Sequence, residues 1–178
     1  MRKLTQKGNL MHLDTVIGID PDVDRNGVAL LDCNTHALEI QTLTFPDLLD
    51  YLLYQKRQAE VTQRNVTVIV EAGWLNRGNW HIGRGQTIRA AAKTGQNTGR
   101  NEQVSRIIGQ MCERYGLRYE FMRPLRKVWK GKDGKITHEE LAYFTGISGH
   151  TNQEGRDAAL LAWEYSGLPI KVAPVGQR

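Results

Sequence analysis

The sequence predicts an α/β protein built on a mixed sheet with helices on both faces, and three observations carry that prediction. Val16-Ile17-Gly18-Ile19-Asp20 is a short apolar, β-branched run closed by a carboxylate, the signature of a buried strand ending at a sheet edge. Two further strand-like segments follow it directly, as in an antiparallel meander. Beyond them strands and helices alternate, so the order reads β-β-β-α-β-α-β-α-α, which calls for parallel strands covered on both sides. At 178 residues the chain is long enough for one domain with a real core.

Each element has a local reason. Residues 1–14 are polar and basic and read as a loose arm; they lack the apolar segment of a signal peptide. The first strand spans Thr15 to Asp20 and stops at Pro21, which has no N–H to give to a ladder. Asn26 to Leu31 is the second strand. The third is a half-exposed alternation in which Leu38, Ile40 and Thr42 are interleaved with Glu39 and Gln41. Thr44-Phe45-Pro46-Asp47 opens a helix with a cap, a proline and an acid in its first turn. Leu48, Leu49, Leu52 and Leu53 give that helix its apolar face, which fades near Glu60. Val66 to Val70 is a buried-type strand that again ends in a carboxylate, Glu71. Val104, Ile107, Ile108, Met111 and Tyr115 mark an amphipathic helix stopped by Gly116. Leu117 to Met122 is a strand, Thr137 to Glu140 is a capping box, and a last helix runs from about Asn152 to Ser166. Residues 169–178 read as a tail.

Composition narrows the function classes. Lys+Arg 24 against Asp+Glu 19 gives +5, a basic balance compatible with nucleic acid. Cys33 and Cys112 fit neither a metal nor a disulfide spacing, so a reducing compartment, and with it a cytoplasmic location, is expected. No apolar run reaches membrane-spanning length. From Ala72 to Asn101 there is no acid, while Arg77, Arg84, Arg89, Lys93 and Arg100 accompany Trp74 and Trp80. Arg123, Arg126, Lys127, Lys130 and Lys132 form a second basic segment around Trp129. Such segments suit phosphate contacts, and Trp80 suits base stacking. Trp74, next to a strand, and Trp163, on the last helix, are expected in the core.

Asp20, Glu71 and Asp157 sit in three different elements, and Glu154 shares a helix face with Asp157. Hard oxygen donors gathered in this way suit Mg²⁺ or Mn²⁺. Two such ions can activate a water and stabilise the leaving oxygen of a phosphodiester. Acids at strand ends and in first helical turns are individually commonplace. Their ordered set, beside an acid-free basic stretch, makes the case.

Ile17-Gly18-Ile19-Asp20-Pro21 resembles the opening of RuvC-type Holliday junction resolvases, in the RNase H-like superfamily. Val70-Glu71 resembles the family's second acidic strand end, and Glu154-Gly155-Arg156-Asp157-Ala158-Ala159 its late pair of acids three residues apart. Arg123-Pro124 through Gly131, followed by Thr137-His138-Glu139-Glu140-Leu141, is similar to the family's Pro-x-x-Val-Lys stretch and the short helix after it. The resemblance covers most of residues 15–166 in the same order. It implies an RNase H-like fold: a five-stranded mixed sheet, its first three strands antiparallel, flanked by helices. It implies a nuclease domain at 15–168 and Asp20, Glu71, Glu154 and Asp157 as catalytic ligands of two Mg²⁺ ions. Its further implications are Arg77, Trp80, Arg84, Arg89, Lys93, Arg100, Lys127 and Lys130 as nucleic-acid contacts, branched DNA as substrate, and a homodimer with the Val104–Tyr115 helix as interface.

The chain departs from the family where Asp22 replaces the glycine after Asp-Pro, which adds charge near the metals. His150 is too far from Asp157 for the family's histidine and reads as loop. Asp24 to Ala29 also resembles the YqgF-type branch of the superfamily, and a DNA scaffold whose acids are structural is the non-enzymatic reading. An EF-hand is excluded by Arg25 and Leu31, where glycine and an acid are required. A haloacid-dehalogenase-type phosphatase would want Thr or Val where Asp24 stands. A sugar-kinase or actin-like ATPase would need a second domain.

Overall fold

The computed structural model describes residues 2–4, 10–76 and 87–171. Its centre is a five-stranded sheet formed by β3 (Thr15–Asp20), β4 (Asn26–Asp32), β5 (Leu38–Leu43), β6 (Val66–Glu71) and β7 (Arg118–Met122). The strand order is β5-β4-β3-β6-β7. β3, β4 and β5 pair antiparallel, whereas β6 and β7 join parallel. The meander is therefore where the sequence places it, but it is not the first β structure. Ahead of it β1 (Arg2–Leu4) pairs antiparallel with β2 (Leu10–His12), so the expected loose arm contributes a two-stranded hairpin. Period-2 reasoning has little to grip in strands of three residues among polar neighbours.

Helices cover both faces. On one lie α1 (Phe45–Thr62) and the C-terminal half of α2 (Ile88–Tyr115); Leu48, Leu52, Ile108 and Cys112 pack there against Ile17, Ile19, Val68 and Val70. On the other lie α3 (His138–Thr145) and α4 (Gln153–Tyr165), where Leu161, Ala162 and Trp163 meet Val16, Leu31 and Ile69. Each fully buried Leu or Ile contributes about 1.5–3 kcal/mol relative to exposure. The helix starts follow their caps: Thr44 accepts from Asp47 N, and Thr137 and Glu140 close a reciprocal capping box.

Two glycines set how closely α4 lies on the sheet. A Cβ at Gly18 on β3 would strike the carbonyl of Ala158, and one at Gly27 on β4 the carbonyl of Glu154. Both strands thus leave room for the α4 backbone itself, which carries Asp157 down to the level of Asp20.

α2 is the largest departure from expectation. It begins at Ile88, capped by the Thr87 side chain, rather than near Val104. The added turns are polar and contain Gly95 and Gly99, so they carry no core-facing period. Trp163 is buried, as expected, whereas Trp74 is only half-buried at the edge of the core, edge-on to Phe121 at 5.0 Å between ring centroids with the Arg106 guanidinium 4.1 Å over it.

Candidate metal-dependent active site

β3 and β6 are parallel neighbours in the register Ile19↔Val70, so Asp20 and Glu71 leave the sheet side by side at the same end. α4 crosses β3 and brings Asp157 over them. These three carboxylates line one small cavity of ≈ 120 Å³ together with Lys127, Lys135 and Trp129. It adjoins a groove of ≈ 750 Å³ that shares Asp20, Glu71, Arg126 and Lys127 and runs on to Asn76, Thr98 and Asn101.

Burial and mutual repulsion dominate the electrostatics. Burial first, then the neighbouring Glu71 and Asp157, hold the Asp20 carboxyl well above the usual carboxylate range. Burial, with Asp157 beside it, pushes Glu71 up to about 7, against the opposing pull of Lys135 and Lys127. Carboxylates raised in this way lack compensating positive charge.

Part of the opposing positive charge comes from the expected Lys127, and more of it from Lys135, which no sequence pattern singles out. Lys135 donates from Nζ to Asp157 Oδ2 at 2.9 Å. Burial alone would lower the Lys135 pKa, but the hydrogen bond and charge of Asp157, with Asp20 and Glu154 behind it, raise it. The segment bearing Lys135 is fixed to α4: Arg156 Nε and Gln153 Nε2 donate to Ile136 O at 3.0 and 3.4 Å, while within α4 Gln153 Nε2 also donates to Asp157 Oδ1 at 2.8 Å. Lys135 belongs to no motif, and Lys132 and Lys130 nearby look equivalent in sequence; only the fold selects it.

The other expected site residues separate. Glu154 is exposed and stands at the rim, acting on Asp20 only as the smallest of the charges around it. Lys127 lines both cavities, whereas exposed Lys130 lines neither; its backbone N–H is held by the Glu140 carboxylate at 3.1 Å. Arg89, Lys93 and Arg100 are exposed on α2. Arg77, Trp80 and Arg84 lie outside the described residues. Asp22, the departure from the family glycine, is spent on the turn: its Oδ1 accepts from Asp24 N at 2.9 Å and its Oδ2 from Asn101 Nδ2 at 3.1 Å. His150 is exposed on a loop, as expected.

Among the described residues, no group of three or more His, Cys, Asp or Glu side chains already forms a metal-coordinating array. The donor chemistry nevertheless suits a hard divalent cation. Asp20, Glu71 and Asp157 offer carboxylate oxygens, two of the three are destabilised when charged, and an ammonium already bonds the third.

No protein-family model matches the chain, and no curated protein matches it. Among solved structures it is similar to T. thermophilus RuvC in complex with a Holliday junction substrate, at 13% identity and TM-score 0.44, over 88% of this chain and 97% of that one. It is also similar to Fowlpox virus resolvase in a complex with substrate Holliday junction DNA, at 11% identity and TM-score 0.41, over 86% and 97% of the two chains. No helix among the described residues is long and apolar enough to cross a membrane.

Proposed function

We propose that the protein is a divalent-metal-dependent endonuclease that hydrolyses DNA phosphodiesters, with four-way junctions as its substrate. The observation that carries this reading is the convergence of Asp20, Glu71 and Asp157, from three separate elements, on one cavity that opens into a groove bordered by Arg123, Arg126 and Lys127. Asp20, Glu71 and Asp157 would hold two Mg²⁺ or Mn²⁺ ions, with Glu154 reaching in from the rim. Bound there, the ions would lower the pKa of a water and neutralise charge on the phosphate. Asp20, which interacts with both Glu71 and Asp157, would be the central ligand of that set. Lys127 and its arginine neighbours hold the backbone, fixing the scissile phosphate over the acids. Hydrolysis forms one P–O bond from water and breaks one ester P–O bond. A four-way junction needs two symmetric cuts, which a homodimer supplies, with the C-terminal half of α2 as the interface implied by the resemblance.

A second reading has one observation in its favour. The Lys135–Asp157 ion pair already neutralises one acid without metal. A DNA-binding scaffold would keep that pair permanently and bind without cutting, whereas a YqgF-like nuclease would keep the site and cut a different substrate.

A cleavage assay separates the two readings. Labelled four-way junction, linear duplex and RNA–DNA hybrid are incubated with Mg²⁺, with Asp20→Asn as control. Paired nicks in the junction alone, lost in the variant, support the resolvase reading. Cutting of the hybrid instead keeps the site and changes the substrate. Tight junction binding without cleavage in Mg²⁺ or Mn²⁺ rejects the nuclease and leaves the scaffold.

A further inference from the structure

The two sides of the N-terminal half of α2 are chemically different. At 3.6 residues per turn, Arg89, Lys93 and Arg100 fall within about 40° of one another around the helix. All three are exposed, as are Gln96 and Gln103 on the same stripe. Thr98, Asn101 and Ser105 fall roughly 100–160° away from the centre of that stripe, and these are the α2 residues that line the groove leading to the carboxylates. No acid occurs on α2 before Glu102, which also faces the groove. None of the three cations makes an ion pair with a described residue.

We propose that this basic stripe binds the phosphate backbone of a second duplex arm of branched DNA, separate from the strand that enters the groove. The inference rests on the reading that the groove takes DNA. Charge complementarity selects the occupant. From Arg89 to Arg100 the stripe runs about 16 Å along the helix axis, close to five phosphate spacings along one strand of a duplex. A helix with its side chains is roughly 10 Å thick. A strand lying in the groove is therefore on the far side of α2 from the stripe, and a linear substrate threaded through the groove leaves the stripe empty. A branched substrate fills both sides at once, with α2 standing between two of its arms.

The experiment uses the full chain, wild type and Arg89→Ala/Lys93→Ala/Arg100→Ala, and measures affinity by fluorescence anisotropy over a salt series in EDTA. The probes are a four-way junction, a linear duplex and a single strand. Alanine favours helix, so the variant keeps α2, and circular dichroism checks this. The expected result is a loss of junction affinity of roughly 100-fold near physiological salt. The slope of log K against log salt should fall by about 2.7 for the junction, three released contacts at about 0.9 each, and stay unchanged for the single strand. Equal losses on all three probes would overturn the proposal, because the stripe would then belong to one general surface. An unchanged junction affinity would overturn it too, as would a change of oligomeric state in place of a change in DNA binding. If the wild type binds none of the probes, the reading of the groove itself fails, an outcome distinct from a selective failure of the stripe.

Discussion

The two ends of the central strands treat their carboxylates in opposite ways. At the N-terminal end of β3, Asp32 on β4 receives the Arg64 guanidinium at 2.7 Å and the backbone N–H groups of Asn34 and Thr35 at 2.9 and 3.0 Å. Burial opposes these bonds only in part, and the Asp32 carboxyl is pulled down to about 2. At the other end, burial first and then neighbouring acids push Asp20 and Glu71 up, and Lys135 and Lys127 offset this only in part. The same residue type in the same sheet is thus fully partnered at one end and left in want of cations at the other. The first arrangement stabilises the fold. The second costs stability and has value only if something positive binds there.

The sharpest way to break that contrast is to remove charge at the acidic end. Asp20→Asn should lower metal-dependent DNA cleavage by at least about 10³-fold, some 4 kcal/mol of transition-state stabilisation, while leaving the fold intact. Single-turnover cleavage together with a thermal melt checks both halves of that statement.

Stability should also depend on pH in opposite senses at the two ends. Glu71 binds its proton more tightly folded than unfolded, so its favourable contribution is complete below about pH 4.5 and is lost as pH rises through about 7. In EDTA the unfolding free energy should fall by about 3 kcal/mol across that window, and Glu71→Gln should flatten the slope. Urea titrations between pH 4 and 8 measure it.

Gly18→Ala sharpens the contrast from the side of the backbone. The new methyl must push α4 off β3, because it meets the Ala158 carbonyl rather than a movable side chain. A destabilisation of about 2–3 kcal/mol is expected. Cleavage should drop by more than this loss of folded protein explains, since Asp157 moves away from Asp20.

The smallest effect belongs to the satisfied end. Arg64→Ala should cost about 1 kcal/mol, because the pair is partly exposed and screened. That cost should be present above pH 4 and vanish as pH falls through about 2, since Asp32 supplies its stability only when charged. Cleavage should be unchanged.

Much of this was legible in the sequence. Strands ending in Asp20 and Glu71 announce themselves by β-branched runs, and the Thr137–Glu140 box by its spacing; all stand where local chemistry puts them. Asp157 joins them because a helix is readable from its period, although its docking depth depends on Gly18 and Gly27, whose role appears only once α4 lies on the sheet. Lys135 was not legible. Its placement depends on Arg156 and Gln153 clamping a loop, and no local pattern encodes a contact across 22 residues. The first half of α2 was hidden for the opposite reason: with nothing to bury, it shows no apolar period.

The central question is whether the acidic end binds a divalent cation. Mn²⁺ titration followed by electron paramagnetic resonance, on wild type, Asp20→Asn and Arg64→Ala, measures this without relying on activity. Wild type and Arg64→Ala should bind Mn²⁺, with Lys135 displaced from Asp157, and Asp20→Asn should lose that binding. Equal Mn²⁺ binding by all three proteins, or none by the wild type even with junction DNA present, would contradict this.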